Sequence, residues 1–177
     1  MKRVYGLVAI SILFISCTQA QPPAPAPAAP TTKAYGTLAQ VMRGIPFPNS
    51  NIIFDTQSAD PAAAQKPAEG KTASSQFSGV YGGWQAVENA AIALQETGNL
   101  LTVPGRMCEN GRPVPVDQED FKKWSQGLID AGAAAYKAAQ AKNMDQMVDV
   151  SGTVADACAA CHEKYRDKED LKMRCIP

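Results

Sequence analysis

The sequence predicts an all-α folded region built from four helices. Apolar residues recur with a period close to 3.6 wherever a period is clear, and no stretch keeps the alternation of a strand. Four helical stretches follow one another along the chain, and the connections between them are short except for the first. Short connections favour neighbouring helices that run antiparallel.

Residues 1–16 have the composition of an export signal. Two basic residues are followed by an apolar run that is too short to span a bilayer as a permanent helix. Ser16 then precedes Cys17, which resembles the lipobox of bacterial lipoproteins and implies cleavage before Cys17 and acylation of its thiol. An ordinary signal peptide cleaved near Ala20 is the alternative. Both interpretations predict export, and the first predicts a periplasmic lipoprotein held to a membrane.

Residues 17–33 form a segment rich in Pro and Ala, which has almost nothing to bury and favours an extended conformation. We interpret it as a tether, followed by a folded domain at 34–177. The whole chain has 17 basic and 17 acidic residues. This balance gives no support for nucleic acid as a partner.

The first predicted helix runs from about Tyr35 to Ile45, and Thr37 to Gln40 is a candidate capping box at its start. Pro46 and Pro48 are expected to end it. An irregular insertion is predicted at about 47–79, which is long for a connection within a small domain.

Three further helices are predicted, at about 81–101, 118–142 and 144–167. Trp84 is expected in the core. Asp117 and Asp120 are candidates for the cap and the favourable acidic charge at the start of the third helix. Asn143 is expected to cap the fourth.

The fourth predicted helix carries the most informative motif of the chain, CAACH, from Cys158 to His162. Two cysteines separated by two residues and followed by histidine form the attachment motif of a c-type haem. The thiols form thioethers with the haem vinyl groups, and the imidazole becomes the proximal iron ligand. Helical spacing places all three residues on one face. A zinc site, a redox dithiol and a chance match are the alternatives, and His162 is the only histidine available for zinc.

The motif continues as Cys158-Ala-Ala-Cys161-His162-Glu-Lys-Tyr165-Arg166. This continuation, together with four helices and attachment on the last one, resembles the class II c-type cytochromes of the cytochrome c-prime family. The resemblance covers roughly 35–166 and implies an up-down-up-down four-helix bundle with one covalent haem c. The long first connection departs from the family pattern.

Two functions occur in that family, and they differ in the residue that covers the distal side of the haem. Members with a methionine on the first helix are six-coordinate electron carriers, and members with an apolar residue there bind nitric oxide or carbon monoxide. Met42 lies in the first predicted helix and is our candidate sixth ligand, although methionine in a helix is commonly core filler. We therefore expect a single-electron carrier acting with redox partner proteins. Gas binding is the alternative, and a docking module of a larger complex is a third hypothesis. The family resemblance leaves a homodimer open.

Three residues near the haem have expected supporting roles. Arg43 and Arg166 are candidates to pair with the haem propionates, and for Arg166 a place near the proximal imidazole is the alternative. A solvated arginine is a third interpretation for both. Tyr165 is expected to pack beside the ring. We find no constellation of catalytic residues and predict no enzymatic activity.

The two remaining cysteines are Cys108, in a loop rich in Gly and Pro, and Cys175, near the C-terminus. In an oxidising compartment a remaining pair favours a disulfide over two free thiols. This bridge would tie the C-terminal tail to the loop.

Overall fold

The computed structural model describes residues 32–63 and 82–177. The predicted signal peptide, the lipidation site Cys17 and most of the tether lie outside the described residues, as does the second half of the predicted insertion. None of the described helices is long and apolar enough to cross a membrane.

The described chain is all-α, as predicted, and its helices pack as a four-helix bundle. The helix Pro46–Asp55 packs against two of the three long helices, and the helix Leu38–Gly44 packs mainly against Pro46–Asp55. A short 3₁₀ turn follows near the C-terminus. The bounds are Leu38–Gly44 for α1, Pro46–Asp55 for α2, Gly83–Leu101 for α3, Glu119–Gln140 for α4, Met144–Tyr165 for α5 and Leu171–Met173 for the 3₁₀ turn.

The start of the predicted insertion is helical, which corrects the sequence interpretation. The capping box of Thr37 and Gln40 opens α1 as expected, and α1 ends at Gly44. Pro46 then begins α2 at its first helical position. The first helix ends before the prolines, as predicted, but Pro46 also begins the next helix. Backbone N–H groups in a first turn have no intrahelical partner, so proline loses nothing there. Residues 47–55 are therefore helix rather than loop.

Helices α3 and α4 approach closely and run antiparallel. A Cβ atom added at Gly98 of α3 would lie 2.7 Å from the carbonyl oxygen of Ser125 in α4. One added at Gly132 of α4 would lie 3.0 Å from the carbonyl oxygen of Ala91 in α3. Glycine at these two positions lets the backbones meet because any side chain would fill the gap.

The start of α4 differs in detail from the prediction. Gln118 occupies the N-cap position, but its side chain makes no capping hydrogen bond. The predicted cap candidate Asp117 therefore lies one residue before the N-cap position. Glu119 and Asp120 supply the acidic first turn. At the next helix start, Asn143 caps α5 as expected by accepting a hydrogen bond from the N–H of Gln146.

The core lies along the contact between the long helices. Trp84 is buried in it, as expected. Among the largest fully buried side chains are Ile53, Leu94, Phe121, Met147 and Val154.

A disulfide between Cys108 and Cys175 joins the α3–α4 loop to the C-terminal tail, with a Cα–Cα distance of 6.6 Å. The backbone N–H of Cys175 also donates to the carbonyl oxygen of Tyr165 at 2.9 Å. The tail therefore folds back beside the end of α5, as the predicted bridge requires.

Candidate functional site

A cavity of about 710 Å³ lies at the C-terminal end of α5. Its wall is formed by residues of α1, α2, α4 and α5, the end of α3, the α3–α4 loop and the C-terminal tail, and most of it is apolar. This volume is within the usual range for small-molecule and cofactor sites, about 300–1,000 Å³. A large and mainly apolar group can be accommodated in such a volume.

The attachment motif forms the α5 wall of this cavity. Cys158, Cys161 and His162 all line it, and all three are partly buried. Both cysteines are free thiols in the structure. Their spacing on α5 places them on one face of the helix, as predicted.

Burial sets the protonation of these three side chains. It raises the pKa of the Cys161 thiol to about 12. It also raises the pKa of Cys158, against an opposing effect of the Arg166 charge. The pKa of His162 is lowered by burial and by Arg166. The thiols are therefore protonated at neutral pH, unlike the thiolate of a reactive redox dithiol, and the imidazole is neutral, which is the form that binds a metal.

The zinc alternative has no support in the part of the chain that the structure describes. No group of three or more His, Cys, Asp or Glu side chains there is placed to hold a metal ion. Structural zinc generally takes four protein ligands.

Met42 lines the same cavity from α1 and packs against the hydrophobic core. It is half-buried. The other described methionines are absent from the cavity wall; Met147, for example, is fully buried in the core. The structure therefore brings Met42 and His162 to one cavity from two different helices.

Arg43 and Arg166 also line the cavity, and each contacts a carboxylate of the protein. Arg43 Nη2 donates to Glu109 Oε1 at 3.0 Å and to Oε2 at 3.3 Å. Arg166 Nε donates to Asp167 Oδ1 at 2.6 Å, and this hydrogen bond lowers the pKa of Asp167. Both arginines keep these partners in the structure.

Tyr165 is buried beside the motif, and its ring meets Phe121 and Trp124 edge to face. Its hydroxyl donates to Asp120 Oδ1 at 2.6 Å. Lys164 donates to the other oxygen of Asp120. Sequence reasoning placed Asp120 only at a helix start. Nothing in the local pattern shows that the carboxylate meets the end of another helix.

The family model described as Cytochrome C' matches residues 114–166. The match begins before α4 and ends just after the attachment motif. No curated protein and no solved structure matches the chain significantly. Helices α1 and α2, the loop at Cys108 and the tail at Cys175 lie outside the matched residues.

The described part of the chain is an all-α, four-helix bundle, and residues 114–166 are similar to the cytochrome c′ family. The residues present fit a covalent haem. Two free cysteines and a neutral histidine share one wall of a mainly apolar cavity of suitable volume.

Proposed function

We propose that this protein carries single electrons through a haem c attached at Cys158 and Cys161. His162 would be the proximal ligand and Met42 the sixth. The observation that supports this assignment most directly is that Met42 and His162 line the same cavity from α1 and α5. A bound haem supplies the one-electron chemistry of its iron.

Each of these residues has a distinct task in the proposal. The cysteines hold the cofactor covalently, so it stays bound in both oxidation states. The neutral His162 imidazole offers its lone pair to the metal, and the mainly apolar wall limits access of water. A methionine ligand raises the reduction potential, which suits electron transfer.

Binding of nitric oxide or carbon monoxide is the second candidate function. It is favoured by the wall contributed by α1 and α2, which includes Leu38, Pro46 and Phe54. If one of these apolar residues rather than Met42 covers the distal side, the iron keeps an open coordination position.

The cellular setting that we propose is the bacterial periplasm. The basic and apolar start of the chain, the lipobox-like Cys17 and the covalent cofactor motif support export. Redox proteins would be the partners, and a lipid on Cys17 would hold the protein at a membrane. Proteins of the cytochrome c′ family are typically periplasmic.

Absorption spectra of the ferric and ferrous protein, with and without carbon monoxide, test the ligand assignment. We expect a weak ferric band near ~695 nm, the usual mark of sulfur on haem iron, and little binding of carbon monoxide. Met42→Ala is expected to abolish the band and open the site. The matched control is Met147→Leu, a methionine buried in the core away from the cavity.

A high-spin spectrum with ready carbon monoxide binding, unchanged by Met42→Ala, would exclude Met42 as ligand and favour gas binding. A protein that holds no haem after expression with a working cytochrome maturation system would exclude both functions.

A further inference from the structure

Three arginines line the cavity, and they differ in their partners. Arg43 and Arg166 each donate hydrogen bonds to a carboxylate, at 3.0 Å and 2.6 Å. Arg174, in the C-terminal tail, has its closest described carboxylate contact at 3.9 Å, from its Nη1 to Glu109 Oε2. This distance is beyond that of a hydrogen bond.

The Nε atom of Arg174 is the distinctive feature of this site. It is buried and has no hydrogen-bond partner among the described residues. A buried N–H without an acceptor is costly, and such groups are rare in native structures. Arg174 also lines the cavity, so a ligand there could supply an acceptor to its guanidinium.

The backbone around Arg174 is held firmly in position. The next residue, Cys175, is in the disulfide with Cys108. The Asn110 side chain donates to the carbonyl oxygens of Leu171 and Arg174, at 3.0 Å and 3.1 Å. The loop thus fixes the tail against the cavity before any ligand arrives, which reduces the entropic cost of binding.

We propose that Arg174 binds a carboxylate of the haem, one of its two propionates. This inference rests on the proposed haem function. Propionates are the charged groups of the cofactor, and a guanidinium pairs with a carboxylate through parallel hydrogen bonds. Glu109 remains with Arg43, which it meets at 3.0 Å, whereas the Nε donor of Arg174 has no acceptor among the described residues.

Arg174 thereby takes the place of Arg43 and Arg166, the two arginines that the sequence suggested as partners of the propionates. Arg174 lies beyond the matched residues 114–166 and twelve positions after the motif histidine. The disulfide brings it back to the cavity. The tail thereby becomes part of the cofactor site.

The test compares Arg174→Gln with Lys172→Gln in the full-length haem protein. Lys172 carries the same charge in the same tail, but its side chain is exposed and it does not line the cavity. Reduction potentials are measured across a pH range, and the propionate bending bands are followed by resonance Raman spectroscopy. Haem attachment is verified by mass in each variant.

In Arg174→Gln we expect the propionate to bind its proton at least about tenfold more tightly, because the guanidinium charge that stabilises the ionised propionate is gone. The reduction potential should fall and the propionate bands should shift. Lys172→Gln should leave the bands in place. Arg174→Lys, which keeps the charge but loses the paired geometry, should give an intermediate shift and serves if the glutamine variant does not fold.

A haem-loaded Arg174→Gln protein with the propionate titration and bands of Lys172→Gln would overturn this proposal alone. Absence of haem from the parent protein would instead overturn the proposed function, and this inference with it.

Discussion

The hydroxyl of Tyr165 donates a hydrogen bond to Asp120 Oδ1 at 2.6 Å. Tyr165 follows the proposed iron ligand His162 by three residues. Lys164 donates to the second oxygen of the same carboxylate. The start of α4 is thereby joined to the end of α5, where the attachment motif lies. Desolvation and this hydrogen bond raise the pKa of Tyr165, so its hydroxyl stays protonated and remains a donor.

Asp120→Asn is expected to lower the melting temperature at pH 7. The hydrogen bonds from Lys164 and Tyr165 lower the pKa of Asp120 in the folded state. The stabilisation is therefore present above the unfolded pKa of about 3.9 and is lost as the pH falls through the lower folded value. The difference between parent and variant should shrink below about pH 4. Thermal unfolding followed by circular dichroism across this pH range measures it.

Glu119→Gln is the control, because Glu119 lies in the same helical turn and its side chain is 92% exposed. Such exposed pairs contribute little to stability. An Asp120→Asn protein with the pH profile of Glu119→Gln would contradict the role of the carboxylate.

Gly98→Ala is expected to destabilise the bundle by about 1–3 kcal/mol through overpacking. The added Cβ would lie 2.7 Å from the carbonyl oxygen of Ser125, which is backbone and cannot rotate away. Gly127→Ala is the matched control in α4, where a Cβ meets nothing within 4 Å. That change should stabilise by up to about 1 kcal/mol because alanine favours the helix. Denaturant unfolding measures the free energy of unfolding of both variants, which should fall for Gly98→Ala and rise for Gly127→Ala.

Removal of the disulfide by Cys108→Ser with Cys175→Ser should lower the free energy of unfolding by about 2–4 kcal/mol, since the bridge closes a long loop. The two cysteines are 67 residues apart. A reductant should produce the same loss in the parent and none in the double variant, because thioethers to haem are not reduced. Equal stability of parent and double variant under oxidising conditions would contradict this.

Arg106→Met is expected to loosen the start of α1 and to lower the free energy of unfolding by about 1.5–3 kcal/mol, because the hydrogen bonds from a charged donor are lost. Arg106 is only 3% exposed, and its Nη1 donates to the carbonyl oxygens of Tyr35 and Gly36 at 2.7 Å and 3.2 Å. Met42 lies on the helix that follows. The ferric band near ~695 nm should therefore weaken together with stability.

Arg112→Met is the control, since this arginine is in the same loop and is exposed. Its side chain makes one hydrogen bond among the described residues, from Nε to the carbonyl oxygen of Lys172 at 3.2 Å. Loss of the sulfur band in Arg112→Met but not in Arg106→Met would contradict the positioning role of Arg106.

Local patterns predicted the helices well where a helix is specified by its own residues. The capping box at Thr37 and the cap at Asn143 appear as expected, because each needs only atoms within one helical turn. The prediction of an irregular segment after Pro46 was wrong, because proline is found both after the end of a helix and at its first position. Only the packing of α2 against the other helices selects between these roles.

The sequence by itself determined the all-α class, the spacing of Cys158, Cys161 and His162, and the pairing of the two remaining cysteines. These follow from short-range geometry and from counting. Only the tertiary structure decided that Asp120 meets Tyr165, that Gly98 lies against Ser125, and that Arg174 reaches the cavity with an orphaned donor. Such contacts join residues far apart in the chain, and they depend on how whole helices pack, which no local spacing specifies.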